Sequence, residues 1–251
     1  MNKIKNEDIT FLYTYYNTPM ELFENSLKSV INRGIKILIV DDMSSEEGIK
    51  NLNKIVRSLD KDKLVSIVRP DEKMQQEGCT YYGASLIDTK YTIRIDSDDE
   101  LIDLPHYNSY MDKNKKEYDI ILSLKNQARN KEDLYKGKNA NINGAIIKTE
   151  LLRFMYSDYE FMIKFHNFFH EDLYAAYKLF LFKEINSYQS NIKSYNYIFK
   201  KDSSHHESKK KPFISKRCKR AETLMAVATQ NNLSFEEYKY GINMIKEYIK
   251  D

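Results

Sequence analysis

The 251-residue chain has no tryptophan and only two cysteines, Cys79 and Cys218. Two thiols make no disulfide framework, so nothing here calls for an oxidising compartment. No run of about 18 apolar residues occurs, so no transmembrane helix is expected. The opening MNKIKNEDIT lacks the apolar core of a signal peptide. These absences lead to a soluble cytoplasmic protein as the expectation, with peripheral contact at a membrane as a variant. What is present fits a folded domain. Hydrophobic residues are 41% and charged residues 31%, with 20 Tyr and 12 Phe supplying the aromatic content.

The net charge of +3 is unevenly spread. Between Ser208 and Arg220 lie seven basic residues (Lys209, Lys210, Lys211, Lys216, Arg217, Lys219 and Arg220) and no acid, so the remainder carries −4. Such a stretch is a solvated basic loop or a contact for anionic partners: donor phosphates, nucleic acid, a membrane surface or an anionic acceptor.

Apolar periodicity orders the first hundred residues as alternating strands and helices. Strands are expected at Ile9 to Tyr16, Ile35 to Val40, Leu64 to Val68 and Tyr91 to Ile95. Between the first two, Thr18-Pro19-Met20-Glu21 reads as N-cap, proline at the first helical position and capping glutamate. Met20, Phe23, Leu27, Val30 and Ile31 follow at helical spacing, and Gly34 is a C-terminal cap. Ser44 with Glu47 caps a second helix ending near Leu59, and a third covers about Thr80 to Ile87. This alternation implies a doubly wound, mostly parallel α/β sheet. Further on, strands are expected at Tyr118 to Leu124 and Gly144 to Lys148, and a helix at Glu171 to Phe182. Ile192 to Phe199 alternates, with Tyr195, Tyr197 and Phe199 on one face. Ala221 to Asp251 reads as two helices joined near Asn231 to Ser234.

Two strands end in acids: Asp41-Asp42 closes one, and Asp96-Ser97-Asp98-Asp99 closes another. Ligands of open α/β sheets bind at such carboxyl ends, where strand order reverses. Clustered carboxylates repel each other unless a cation neutralises them. Mg²⁺ or Mn²⁺ suits an all-oxygen site and keeps waters and phosphates in its shell. Bridging a departing diphosphate would give that cation a task as a Lewis acid.

Several segments together resemble glycosyltransferase family 2. Thr14-Tyr15-Tyr16-Asn17 matches the pattern that ends the family's first strand, and Asp41-Asp42-Met43-Ser44 matches its Asp-Asp-x-Ser. Glu77-Gly78-Cys79-Thr80 stands where a Gly-containing helix precedes the Asp-x-Asp strand. His170-Glu171-Asp172 fits the acidic pair that opens a later helix. The resemblance is good over residues 8 to 104 and patchy to about 206. It implies a GT-A fold and an inverting transfer of sugar from a nucleotide-diphosphate donor, UDP-linked first among the choices, with Mn²⁺ or Mg²⁺. It divides the chain into a catalytic domain, 1–204, with a nucleotide-binding half, 1–104, and an acceptor-binding half, 105–204. A basic loop and C-terminal helices, 205–251, follow.

The resemblance also implies roles. Tyr16 stacks on the donor base, with Thr14 and Asp41 or Asp42 bonding to it. Asp96 lies by ribose or metal, Asp98 ligates the metal with Asp99 adjoining, and His206, beside His205, completes the shell. Asp172 is the general base, flanked by Glu171, and a helix N-terminus is expected to favour its ionised form. The family's Ala-Arg-Asn segment is absent, Thr80-Tyr81-Tyr82-Gly83 standing in its place. Arg94 or Arg69 is the expected substitute at the donor. Acceptors of the family are saccharides, lipid-linked saccharides or protein side chains, and the basic segment adds a modified base in nucleic acid as an alternative. A silent binding module of the same fold is the other alternative. A sugar-nucleotide pyrophosphorylase is disfavoured, because no Gly-rich, Arg-containing loop follows the first strand.

Overall fold

The computed structural model of the chain describes residues 4–104, 116–122, 127–165, 171–190, 195–196, 198 and 216–249. Strands β1 (Ile9–Tyr15), β2 (Lys36–Asp41), β3 (Val65–Val68) and β4 (Tyr91–Asp96) alternate with helices α1 (Met20–Lys28), α2 (Glu46–Leu59) and α3 (Gln75–Leu86). There follow β5 (Glu100–Leu101), β6 (Ile120–Leu122), α4 (Lys131–Tyr135), β7 (Ile146–Lys148), α5 (Thr149–Tyr156), α6 (Tyr159–Phe165), α7 (Glu171–Phe182), β8 (Ser187–Gln189) and β9 (Tyr195–Asn196). Helices α8 (Lys216–Asn231) and α9 (Phe235–Tyr248) come last.

Among the described residues, a seven-stranded sheet runs β3-β2-β1-β4-β7-β6-β8, and β5 and β9 form a separate antiparallel pair. The first four strands are mutually parallel, while β7 is antiparallel to both β4 and β6. The chain winds outward through β2 and β3, then returns to β4 on the other side of β1. That reversal makes the carboxyl ends of β1 and β4 the topological switch point, the place where open α/β sheets form their ligand crevice.

Both faces of the sheet are covered, which is why the strands read as continuous apolar runs. Phe11, Tyr13, Tyr15, Ile37 and Ile39 point to the layer holding Phe23, Leu27, Leu52 and Ile55 of α1 and α2. Leu12, Leu38 and Val40 point to the opposite layer, with Cys79 and Ala84 of α3. Helix α3 approaches closely because Gly83 faces the sheet, where a Cβ would run into Leu12 and Val40. The same cluster continues through Leu152 of α5, Tyr177 of α7, and Leu224, Val227 and Ile245 of α8 and α9. Arg220 fastens α8 by donating to the carbonyls of Leu134 and Lys138 at 2.6 and 2.9 Å.

Local departures from the sequence expectation have identifiable causes. Pro19, not Thr18, is the N-cap of α1, and it makes no side-chain cap bond. Thr18 is engaged elsewhere, its hydroxyl 2.5 Å from that of Ser97 in the acidic turn. Ser45 rather than Ser44 caps α2, accepting from the Gly48 N–H at 3.1 Å. Ser44 instead accepts from the Asn17 N–H at 3.0 Å, joining the loops after β1 and β2. Helix α3 starts at Gln75, earlier than expected, after a residue with no side-chain cap. Gly34 does end its segment in the left-handed conformation, φ +65°. Tyr197, Phe199, His170, His205, His206 and Lys209 to Lys211 lie outside the described residues. No helix among the described residues is long and apolar enough to cross a membrane.

Candidate active site

Parallel register brings the first acids together. Tyr15 pairs with Asp41, and Thr14 pairs with Val40 on one side and Asp96 on the other. Asp41 and Asp96 therefore stand at neighbouring strand ends, either side of the end of β1. Asp41 and Asp42 are buried. Asp41 accepts through Oδ1 from the Ser44 N–H at 3.2 Å, and its Oδ2 lies 3.3 Å from Arg69 Nε. That contact is an ion pair without hydrogen-bond alignment, so Asp41 Oδ2 remains a buried acceptor with no hydrogen bond. Arg69 also donates to the Ser44 carbonyl at 2.6 Å. Asp42 accepts the Met74 N–H at 2.6 Å and so holds the start of α3 against the sheet.

Thr14 is partly buried, and Tyr16 is 49% exposed, with the Lys73 ammonium 3.5 Å from its ring centre. Such a cation on an aromatic face is an ordinary surface contact. Tyr16 is thus an exposed aromatic at the crevice mouth, one face already covered.

The acidic turn after β4 divides its carboxylates between different tasks. Asp96 Oδ1 accepts from Gln76 at 2.7 Å and from Arg94 at 3.2 Å, and Oδ2 accepts from Asn143 at 2.6 Å. Asp99 is 1% exposed, and both of its oxygens are engaged, by the Tyr195 hydroxyl at 2.5 Å and the Ile198 N–H at 2.9 Å. Burial is the main cause that pushes the Asp99 carboxyl up to about 7, against the two hydrogen bonds. This geometry does not fit the expectation of Asp99 as a metal ligand, because its oxygens anchor the β5–β9 pair instead. Asp98 is partly exposed between them. No group of three or more His, Cys, Asp or Glu with metal-site geometry occurs among the described residues.

Arg94 ties the turn to α7. Its guanidinium, 2% exposed, donates through Nη1 to the Tyr156 hydroxyl at 2.5 Å and to Asp172 Oδ1 at 3.4 Å, and through Nη2 to Asp96. The expected donor contact by Arg94 does not fit that burial: the side chain is covered by the very carboxylates it joins. Arg69, partly exposed, lies beside Asp41 at the end of β2. Asp172 and Glu171 open α7, and both carboxyls are held above their usual range. Desolvation is the main cause. Glu77 adds to it for Glu171, while the Arg94 charge opposes it for Asp172. The helix N-terminus was expected to favour the ionised form; loss of water at this crowded position outweighs it. Asp96 is raised for the same first reason, again against Arg94.

Gln76, Asn143, Tyr156 and Tyr195 belong to this network and were not singled out from the sequence. Tyr195 sat in the alternating tyrosine strand, a usable signal. Gln76 and Asn143 gave none, because amides at helix starts and turns are ordinary.

A doubly wound sheet, acids at adjacent strand ends and an acidic helix start facing them across a buried arginine describe the GT-A glycosyltransferase fold. The description "Glycosyl transferase family 2" matches residues 11–186, and the chain belongs to that family. No curated protein matches the sequence. Solved structures share the fold at low identity. TarS 1–349 from S. aureus, in complex with UDP-GlcNAc, aligns with TM-score 0.57 and 14% identity, covering 96% of this chain and 71% of that one. The mannosyltransferase PcManGT from Pyrobaculum calidifontis, in complex with GDP-Man and Mn²⁺, gives 0.55 and 11%, covering 96% and 73%. GalNAc-T7 with UDP, GalNAc and Mn²⁺ gives 0.58 and 13%, covering 92% and 49%.

Proposed function

We propose that this chain moves a sugar from a nucleotide-diphosphate donor, UDP-linked in the first instance, to an acceptor hydroxyl with inversion. The observation that carries this reading is the single buried guanidinium of Arg94 shared by Asp96 at the end of β4 and Asp172 at the start of α7. It puts a candidate base beside the donor-side acids, as an in-line displacement needs.

The base of the nucleotide would enter at the β1–β2 edge. There Tyr16 offers an exposed ring beside the strand end that carries Asp41. Arg69, partly exposed beside Asp41, is available to phosphate or ribose oxygens. The donor set suits a hard divalent ion held mainly by diphosphate and water, since such ions need only one or two protein carboxylates. Asp98 is the residue that would hold it, with Asp96 beside it already engaged by three donors. When bound, such an ion offsets charge on the departing diphosphate. Nucleotide-sugar and Mn²⁺ in the related structures support this choice of donor and ion.

Asp172 takes the proton of the acceptor hydroxyl. The freed oxygen bonds to the anomeric carbon as the bond to the diphosphate oxygen breaks, and the nucleoside diphosphate leaves with that electron pair. A carboxyl held somewhat high is well matched to this role, because a base works best with a pKa nearer the working pH. The experiment is a screen of UDP-, GDP- and TDP-sugars with Mn²⁺, following nucleotide release by chromatography. Release from at least one donor is expected. Asp172→Asn should lose roughly a hundred- to ten-thousand-fold of the rate while still binding donor. No release from any donor rejects the reading, and equal rates for Asp172→Asn and wild type remove that residue from it.

A further inference from the structure

We propose that Arg94 is a positioning residue that aims the base: it holds one oxygen of Asp172 so that the other faces the acceptor. This rests on the reading of Asp172 as the base. Arg94 lies on β4, a central strand, with Leu12 as its partner on β1 and Asp96 two residues on, on the same face. A charge buried at 2% exposure must be offset by partners, and Arg94 finds them at Nη1 and Nη2 while its Nε has no hydrogen bond. Its partners are all in the crevice.

The pattern of bonds is asymmetric in a useful way. Both hydrogen bonds to Asp172 fall on Oδ1, from Arg94 at 3.4 Å and from the Tyr156 hydroxyl at 3.5 Å. Oδ2 receives none from the described residues, and the side chain keeps 26% of its exposure. Oδ2 is the oxygen left to take a proton. Asp96 is the opposite case, with Gln76, Arg94 and Asn143 occupying both oxygens. It is a fixed post, and Arg94 carries its position across to Asp172. Nη1 serves one carboxylate and Nη2 the other, so the planar fork sets the spacing between them. Glu171 adds like charge beside Asp172, which the same guanidinium offsets. Lysine at this position would keep the charge but offer one nitrogen in place of two fixed ones.

The test uses Arg94→Lys, Asp172→Asn, their double variant, and Tyr156→Phe. The readouts are nucleotide release from whichever donor wild type accepts, with water as acceptor, and binding of UDP with Mn²⁺ by calorimetry. Arg94→Lys should lower kcat about a hundredfold, the scale of a misplaced reacting group, with UDP affinity and donor KM little changed. Tyr156→Phe keeps the ring and removes one bond to Oδ1, so it should lower kcat less; it also stands in if Arg94→Lys does not fold. In the Asp172→Asn background neither change should lower the rate further, because the carboxylate they aim is gone. Wild-type kcat in Arg94→Lys overturns the proposal. So do losses that multiply with Asp172→Asn, or UDP affinity falling in step with kcat, which would make Arg94 a donor or structural residue. A wild type that neither binds UDP with Mn²⁺ nor releases nucleotide fails the broader transferase reading, a result told apart from these by the unsubstituted protein alone.

Discussion

Methionine in place of Lys178 tests how the helix that carries Glu171 and Asp172 is anchored. Lys178 lies two turns into α7 and is 2% exposed. Its ammonium is 2.6 Å from Asp158 Oδ1 and 2.6 Å from Ser157 Oγ. Asp158 Oδ2 accepts from the Tyr174 hydroxyl at 2.8 Å and from Asn231 at 3.1 Å, so one carboxylate joins α7 to α8. Burial pushes the Asp158 carboxyl up, but the bonds from Lys178, Tyr174 and Asn231 outweigh it and hold it below the usual range. Removing one partner of a buried pair costs about 3–5 kcal/mol. The lower end applies, because Asp158 keeps two donors and some solvent. At about 2–4 °C per kcal/mol for a chain of this size, Tm should fall by roughly 6–12 °C. Circular dichroism melts at pH 7 measure it. The double variant Lys178→Met/Asp158→Asn should lose less than the sum of its single changes, since neither charge is left unpaired. The pH dependence has a definite sign. A carboxyl lowered in the folded state stabilises above its unfolded pKa of about 4, and the contribution is lost as pH falls through the folded value. The gap between wild type and Lys178→Met should therefore narrow as pH drops below about 4. A Tm within about 1 °C of wild type, strict additivity in the double variant, or a gap that widens in acid would refute the reasoning.

Other changes probe different joints of the structure. Gly83→Ala puts a Cβ against Leu12 and Val40, and should cost about 1–3 kcal/mol by overpacking, read as a lower urea midpoint with unchanged slope. Arg220→Ala strips charged donors from the Leu134 and Lys138 carbonyls and should cost about 1.5–3 kcal/mol, seen as faster amide exchange in α4 and α8. Gly144, at φ +71° where a Cβ would run into the Tyr195 ring, should tolerate alanine poorly, and Gly144→Ala should lower Tm and weaken nucleotide binding together by shifting the ring that holds Asp99.

Much of the first half was legible because its signals are local. Four apolar runs gave four parallel strands, and acids at two strand ends gave the crevice. The errors there were of one or a few residues, as at Ser44 and Ser45, where both can cap and only the tertiary bond from Asn17 decides. The region after Leu101 was harder. Helix α5 follows β7 with no turn residue between Lys148 and Thr149 and no side-chain cap, so nothing in the sequence marks its start. Helix α4 is five residues long, too short to show a period. The roles of individual acids were legible only as a group. Which of Asp96, Asp98 and Asp99 faces outward depends on Asn143, Gln76 and Tyr195, brought in from distant segments. Arg94 read as a donor contact because its chemistry suits phosphate; its burial between two carboxylates is a property of the fold alone.

The account depends most on Asp98 holding a cation against a nucleotide diphosphate at the ends of β1, β2 and β4. Calorimetric titration of UDP into the wild-type chain, with and without Mn²⁺, and into Asp98→Ala tests it directly. UDP should bind wild type with Mn²⁺, much more weakly without it, and with no gain from Mn²⁺ in Asp98→Ala. UDP binding that ignores both the metal and Asp98 would contradict it.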